Sequence, residues 1–254
     1  MILLSLSYAN VFSQASLPFY EGFAYATGNL VGQSNGTAIW TRTGSQSVSP
    51  VQVSTGSLSY AGLPGATGGK VSLGNGSNYE DVGLDLTPQV SGSVYASFVV
   101  NVVNPGTTTG DAFLHFSSAG TSATDFHAIV YAKRGSSASK VIFGVRNAAT
   151  DSTVYDSVEY NVGTPLLLVV GYTFNPATND DVAALWINPA LKQETPPPAT
   201  LQATTNSELS YVGRIGLRQG QSSTGLSLQL DELRLSTSWS EVTLPIVLAA
   251  WTVE

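Results

Sequence analysis

The chain has 254 residues, 43% hydrophobic and only 11% charged, with ten basic and seventeen acidic residues for a net charge of −7. A length of this order buries roughly three quarters of the unfolded surface, so one domain holds without staples, and the lack of cysteine removes disulfides and thiolate-bound zinc. Nucleic acid is excluded as a partner: it calls for a basic footprint, and Lys133-Arg134, the only adjacent basic pair, reads as two solvated residues on a hairpin.

Met1 to Ala15 has a short apolar core with small residues near Ser13 and Ala15, the layout of a secretory signal without its basic start. Residues 1–15 are therefore expected to be a signal peptide, incomplete at its beginning; the alternative is a buried first strand. The stretch to about residue 90 is loose. Gly56, Gly62, Gly65, Gly68, Gly69, Gly74 and Gly76 break brief strands such as 70–73, which predicts long loops over one end of the fold, where binding sites tend to sit. From Val94 the rhythm tightens. Residues 94–103, 112–116, 126–131, 141–146, 166–173, 182–187, 212–217 and 226–235 read as strands, with Asn104-Pro-Gly106 a strong turn. Short strands without an amphipathic helix between them predict an antiparallel sandwich. Leu166-Leu-Leu-Val-Val170 is a buried strand, and no segment reaches the ~20 apolar residues of a membrane span. Gln193-Glu-Thr-Pro-Pro-Pro198 predicts an extended surface loop.

The last strong strand is the most telling. Leu226, Leu228 and Leu230 alternate with polar residues; then Asp231 and Glu232 sit together, and apolar positions resume at Leu233 and Leu235. A one-residue slip would turn those leucines to the other face unless a β-bulge absorbs it. Acids in an inner strand are buried only when paired, hydrogen-bonded or metal-bound, which makes Asp231 the leading candidate metal ligand. Its alternatives are an ion pair with Arg234 or backbone N–H donors at the bulge. From Leu244 the pattern changes to an apolar tail, a final edge strand or the start of a following module.

Several segments together carry a resemblance: Tyr20-Glu-Gly-Phe23, Gly171-Tyr-Thr-Phe-Asn-Pro176, Asn179-Asp-Asp181, Leu185-Trp-Ile-Asn-Pro189, Gly213-Arg-Ile-Gly-Leu-Arg-Gln219 and Leu230-Asp-Glu-Leu-Arg-Leu-Ser-Thr-Ser-Trp239. The chain resembles the concanavalin A-like (laminin-G-like) jelly-roll domains of secreted bacterial surface proteins over residues 17–243. The resemblance implies an all-β, two-sheet antiparallel jelly-roll sandwich with a structural calcium near the final strand, held by Asp231 with Glu21 as its partner from the first strand. Calcium takes six to eight oxygens, so backbone carbonyls would have to supply the remainder. Residues 244–254 look like the junction that precedes a type IX secretion sorting domain in Bacteroidota-type proteins. Asp151-Ser-Thr153 and Asp156-Ser-Val158 resemble the O-glycosylation acceptors of such bacteria, with Ser152 and Ser157 as attachment points.

Related jelly-roll hydrolases carry Glu-x-Asp-x-x-Glu on one strand, because one acid protonates the leaving group while another attacks. No two acids here stand at i and i+2. Glu80-Asp-Val-Gly-Leu-Asp85 has the outer spacing with Val82 in the middle, and reads as a solvated loop. His115 and His127 read as ordinary sheet residues. The expectation is a non-enzymatic, extracellular, cell-surface module for glycan binding or adhesion. Trp40, beside a Gly/Ser-rich stretch, is the freest tryptophan, and Tyr60 and Tyr79 on glycine-rich loops are further ligand-binding candidates. Trp239 is expected to close the last strand and pack across the end of the sandwich. The runner-up is a structural subunit of a surface assembly, with the tail 246–253 pairing to a neighbouring surface protein or a second copy as an added strand. A polysaccharide-cleaving enzyme comes third.

Overall fold

A computed structural model describes residues 14–243, except 65, 123, 205–206 and 221–223. The described residues form seventeen strands and a short helix. The first six strands are β1 (Phe19–Glu21), β2 (Gly28–Asn29), β3 (Trp40–Thr43), β4 (Gln52–Thr55), β5 (Gly69–Leu73) and β6 (Asp81–Gln89). Next come β7 (Gly92–Pro105), β8 (Asp111–Ser117), β9 (His127–Arg134), β10 (Lys140–Ala148), β11 (Val154–Tyr155) and β12 (Tyr160–Asn161). The last are β13 (Leu166–Phe174), β14 (Val182–Ile187), β15 (Leu201–Thr204), β16 (Val212–Leu217), β17 (Leu226–Ser236) and α1 (Trp239–Thr243).

Two antiparallel sheets result, as expected. The nine-stranded sheet runs β15-β14-β13-β7-β17-β5-β4-β2, with β1 also paired to β17. The eight-stranded sheet runs β11-β10-β9-β8-β16-β6-β3, with β12 also on β10. The alternating residues of both sheets meet in one core, to which Val94, Ala96, Phe98 and Val100 of β7 and Val82, Leu84 and Leu86 of β6 belong. Leu166 to Val170 reads as an unbroken apolar run because both of its faces are covered. Leu166, Leu168 and Val170 enter the core. Leu167 and Val169 turn outward, where Leu58, Tyr60, Leu63 and Leu191 cover the first and Trp186, Trp239 and Val242 the second.

The rhythm break in β17 is a bulge. Asp231 faces Val99 of β7 and Arg234 faces Ser97, so three steps on one strand match two on the other. Glu232 absorbs the extra residue at φ 56°, and Leu233 and Leu235 return to the core.

The structure corrects two placements. Glu80 to Asp85 is not a solvated loop: β6 begins at Asp81, its Val82, Leu84 and Leu86 are fully buried, and Glu80 is buried against Arg42 at 3.0 Å. Trp239 does not close the last strand across the end of the sandwich. It opens α1 and lies over the outer face of the nine-stranded sheet, its ring 4.8 Å from Trp186 and 5.6 Å from Tyr95 between centroids. Ala15 is fully buried and bridges Leu86. Residues 1–13 and the tail 244–254 lie outside the described residues, and with them the rest of the expected signal and the apolar tail.

Candidate functional site

The two expected metal ligands do not converge. Glu21 pairs with Leu233, which points into the core, so Glu21 points inward with it. There its carboxylate accepts bonds from the Phe23 N–H at 2.7 Å, the Tyr25 hydroxyl at 2.5 Å and the Trp40 indole N–H at 3.2 Å. Burial raises its pKa against the pull of those three donors. Asp231 lies on the opposite face, fully buried, accepting the Leu58 and Glu232 N–H groups, both at 2.7 Å. Arg234 takes Glu232 instead, at 2.7 Å. The backbone-donor alternative therefore describes Asp231, and a calcium shared by Asp231 and Glu21 does not fit this donor set.

Trp40 is fully buried beneath Phe23, with centroids 5.9 Å apart, and presents no face to a ligand. Its flanking glycines and serines hide a core position. Tyr60 is half-buried in the loop that covers Val99 and Leu167. Tyr79 is half-buried against Gly74 and Gly76. Ser152 and Ser157 are exposed, each next to an aspartate that caps its own turn. His115 and His127 are sheet residues, as expected. Gly32-Gln-Ser-Asn-Gly36 carries the spacing of a nucleophile elbow, but it lies in the turn between β2 and β3, with no helix after it, and Ser34 donates to the Ala38 carbonyl at 2.7 Å. Among the described residues, Asp180, Asp181 and Glu208 bring carboxylate oxygens within 4.8 Å of one another. Asp181 is taken up by the Tyr172 hydroxyl and the Asn175 N–H, closing the β13–β14 turn.

The open face of chemical interest is the outer side of the eight-stranded sheet. Tyr131 and Lys133 on β9, and Gly144 and Arg146 on β10, alternate with the core residues Val130, Ala132, Phe143 and Val145 and so turn outward. Tyr155 of β11 pairs with Gly144, where an added Cβ would stand 2.6 Å from its ring. The missing side chain is the shelf on which Tyr155 lies. Cations cover these rings: Lys133 Nζ is 3.9 Å from the Tyr155 centroid and the Arg146 guanidinium 4.6 Å from that of Tyr131. Contacts of this kind contribute about 0.5–1 kcal/mol at exposed sites. Burial raises the pKa of both tyrosines, so both stay phenols and donors at neutral pH.

Further across the sheet, the Arg218 guanidinium stands 5.7 Å from the Phe126 centroid. Phe126 stacks on His115 at 4.0 Å, and His115 backs onto Gly216, where a Cβ would fall 2.3 Å from Nε2. Burial lowers the His115 pKa to about 3, so this ring is a neutral floor and not a cation. Phe126, Arg218, Asp81, Thr43, Gln46 and Thr124 line a cleft of about 230 Å³. Asp81 accepts the Gln219 N–H at 2.8 Å, and burial pushes its pKa up to about 6. Arg218 Nε stands 3.8 Å from Asp81 and makes no hydrogen bond among the described residues. Arg214, by contrast, is fully buried on Asp85 at 2.6 Å and belongs to the scaffold. The face thus offers flat rings, phenol and hydroxyl donors, and fixed cations side by side.

None of Phe126, Tyr131, Arg146, Tyr155 and Arg218 was expected as a site residue. The signal lay in the i, i+2 pairs Tyr131/Lys133 and Gly144/Arg146. The second falls in a strand as expected, whereas β9 runs past the expected end at 131 and takes in Lys133 and Arg134, which are strand residues of which only Arg134 is exposed. What the spacing lacks is the pairing of β9, β10 and β11, which brings Tyr155 to Gly144.

No protein-family model matches the chain, and no curated protein matches it. Among solved structures it is similar to domain 4 of AbnA, a GH43 extracellular arabinanase from Geobacillus stearothermophilus, in complex with arabinotriose: 16% identity, TM-score 0.48, 91% of this chain and 98% of that one. It is similar to a heptameric SAP-like pentraxin from Limulus polyphemus, at 12% identity and TM-score 0.41 over 76% and 80% of the two chains. It is also similar to the binding domain of botulinum neurotoxin DC, at 9% identity and TM-score 0.40, covering 75% of this chain and spanning 43% of that chain's length. The chain's own strands show the architecture: an all-β, two-sheet antiparallel sandwich.

Proposed function

We propose that this protein is a non-catalytic, secreted or cell-surface module that binds glycan on the outer face of its eight-stranded sheet. The observation that supports the reading is the row of half-exposed Tyr155, Tyr131 and Phe126, each carrying a cation on its ring. A sugar ring presents apolar C–H faces and a rim of hydroxyls, and aromatic planes beside phenol, threonine and glutamine groups complement both. The signal-like pattern at the start of the chain and the charge-poor composition support the extracellular setting. The structural-subunit alternative rests on the tail 244–254, outside the described residues.

Affinity electrophoresis against a panel of neutral and charged polysaccharides tests the reading. At least one polysaccharide should retard the protein, and Tyr131→Ala should weaken that retardation about tenfold or more while leaving the melting temperature within a few degrees. Retardation by none, or by one that is indifferent to Tyr131→Ala, removes the face from the reading. Release of reducing ends from a bound polysaccharide would replace binding by cleavage.

A further inference from the structure

We infer that this face takes an acidic glycan, whose carboxylates or sulfates meet Lys133, Arg146 and Arg218; the inference rests on the glycan-binding reading above. The argument is one of unused charge. The chain carries seventeen acids against ten bases, so a basic side chain without ionic use is free to pair with an acid almost anywhere. Four ion pairs form among the described residues, and three are close: Arg42 with Glu80, Arg214 with Asp85 and Arg234 with Glu232. The fourth, Arg218 with Asp81, is stretched to 3.8 Å. Lys133 and Arg146 enter none of them. They are held instead by rings and neutral oxygens: Lys133 by Tyr155, Arg146 by Tyr131, the Thr153 hydroxyl and the Ala149 carbonyl.

One acid, Asp81, lines the cleft beside Arg218; it accepts the Gln219 N–H and meets that guanidinium only at 3.8 Å, which leaves Arg218 room for a further anion. A cation fixed on an aromatic face has already lost much of its rotamer freedom, so capturing an anion costs less than it does for a free lysine. Lys133 on β9, Arg146 on β10 and Arg218 just after β16 belong to one sheet, so a chain lying across these strands passes each of them. The net charge of −7 repels any polyanion at long range, so attraction has to come from this local row, and specificity with it.

Matched pairs of polysaccharides separate the inference from the reading beneath it. The probes are polygalacturonate against its fully methyl-esterified form, and dextran sulfate against dextran, with polyglutamate as an acidic chain that has no sugar. The charged member of at least one pair should bind tenfold or more tighter than its neutral partner, weaken as salt rises from 50 to 500 mM, and exceed polyglutamate. The pair that responds identifies carboxylate or sulfate as the recognised group. Lys133→Gln with Arg146→Gln should abolish the preference, and Lys133→Gln alone, which removes no hydrogen bond but one cation–ring contact, should reduce it with a melting temperature within a few degrees of wild type. Equal binding of charged and neutral members overturns the acidic class and leaves glycan binding standing. Polyglutamate bound as tightly as the glycans overturns it in favour of plain polyanion attraction. No binding to any probe, together with no retardation in the wider panel, removes both.

Discussion

Asp231 keeps a fully buried carboxylate on two backbone N–H donors. Those donors favour the charged form, yet burial outweighs them and pushes the pKa up to about 7 from 3.8. The folded protein therefore holds this proton more tightly than the unfolded chain does. The stabilising linkage is full below the unfolded value of 3.8 and is lost as pH rises through 7. Asp81, raised to about 6, runs the same way. His115, lowered to about 3, runs the other way and withdraws stability as pH falls below 6.5. A whole-protein profile adds these to the other shifted groups, the raised Glu21 among them, so a variant is needed to isolate one. Asp231→Asn keeps the shape and titrates nothing. The stability of wild type minus that of the variant should shrink as pH rises from 4 to 7, by on the order of 1 kcal/mol per pH unit. Urea unfolding at pH 4.5, 6 and 7.5 measures it, and a difference that is flat or grows with pH contradicts the assignment.

β6 shows what local pattern reading misses and why. Val82, Leu84 and Leu86 keep a strand's period of two, but Glu80, Asp81 and Asp85 around them suggest solvent. Each acid is in fact answered from a distant element: Glu80 by Arg42, Asp81 by the Gln219 N–H, Asp85 by Arg214. Trp40 misleads in the opposite sense, because its glycine- and serine-rich surroundings hide a partner, Glu21, on another sheet. The strands from Val94 onward were legible because their own residues set their period, and the bulge in β17 because leucines report their own slip. The proposed binding face was not, because it exists only once β11, β10, β9, β8 and β16 lie side by side. Its glycines make that point testable. Gly216 and Gly83 turn outward beneath His115 and Arg214, and a Cβ at either would come within 2.3 Å of a ring or guanidinium atom. Gly216→Ala and Gly83→Ala should each cost about 1–3 kcal/mol as overpacking, read by urea unfolding. A neutral result for both would mean that the two side chains move aside freely and that the floor of the face is not rigid.

The molecule is closed by its own beginning. Ala15 bridges Leu86 in the eight-stranded sheet, and four residues later Phe19 to Glu21 pair with Leu235 to Leu233 in the nine-stranded one. The first described segment therefore crosses from one layer to the other. Glu21 makes the crossing a tie, since it sits in the β17 ladder while bonding Trp40 of β3 in the opposite sheet. Tyr20 secures the outer side of the same ladder, donating to Glu232 at 2.6 Å beneath Arg234. Phe19 and Phe23, 8% and 0% exposed, fill the core between. Losing a buried phenylalanine side chain costs about 3–5 kcal/mol, and about 1 kcal/mol corresponds to roughly 2–4 °C for a domain of this size. A chain starting at Ala24 should melt at least about 10 °C lower or fail to fold. Glu21→Gln, which keeps one acceptor and gives up the other, tests the tie without removing the strand. It should lower the melting temperature by a few degrees, on the order of 1–3 kcal/mol for a buried donor left unpaired. If both proteins melt with the full chain, the sandwich is sealed by β7 and β17 alone, and the N-terminal segment is only draped across it.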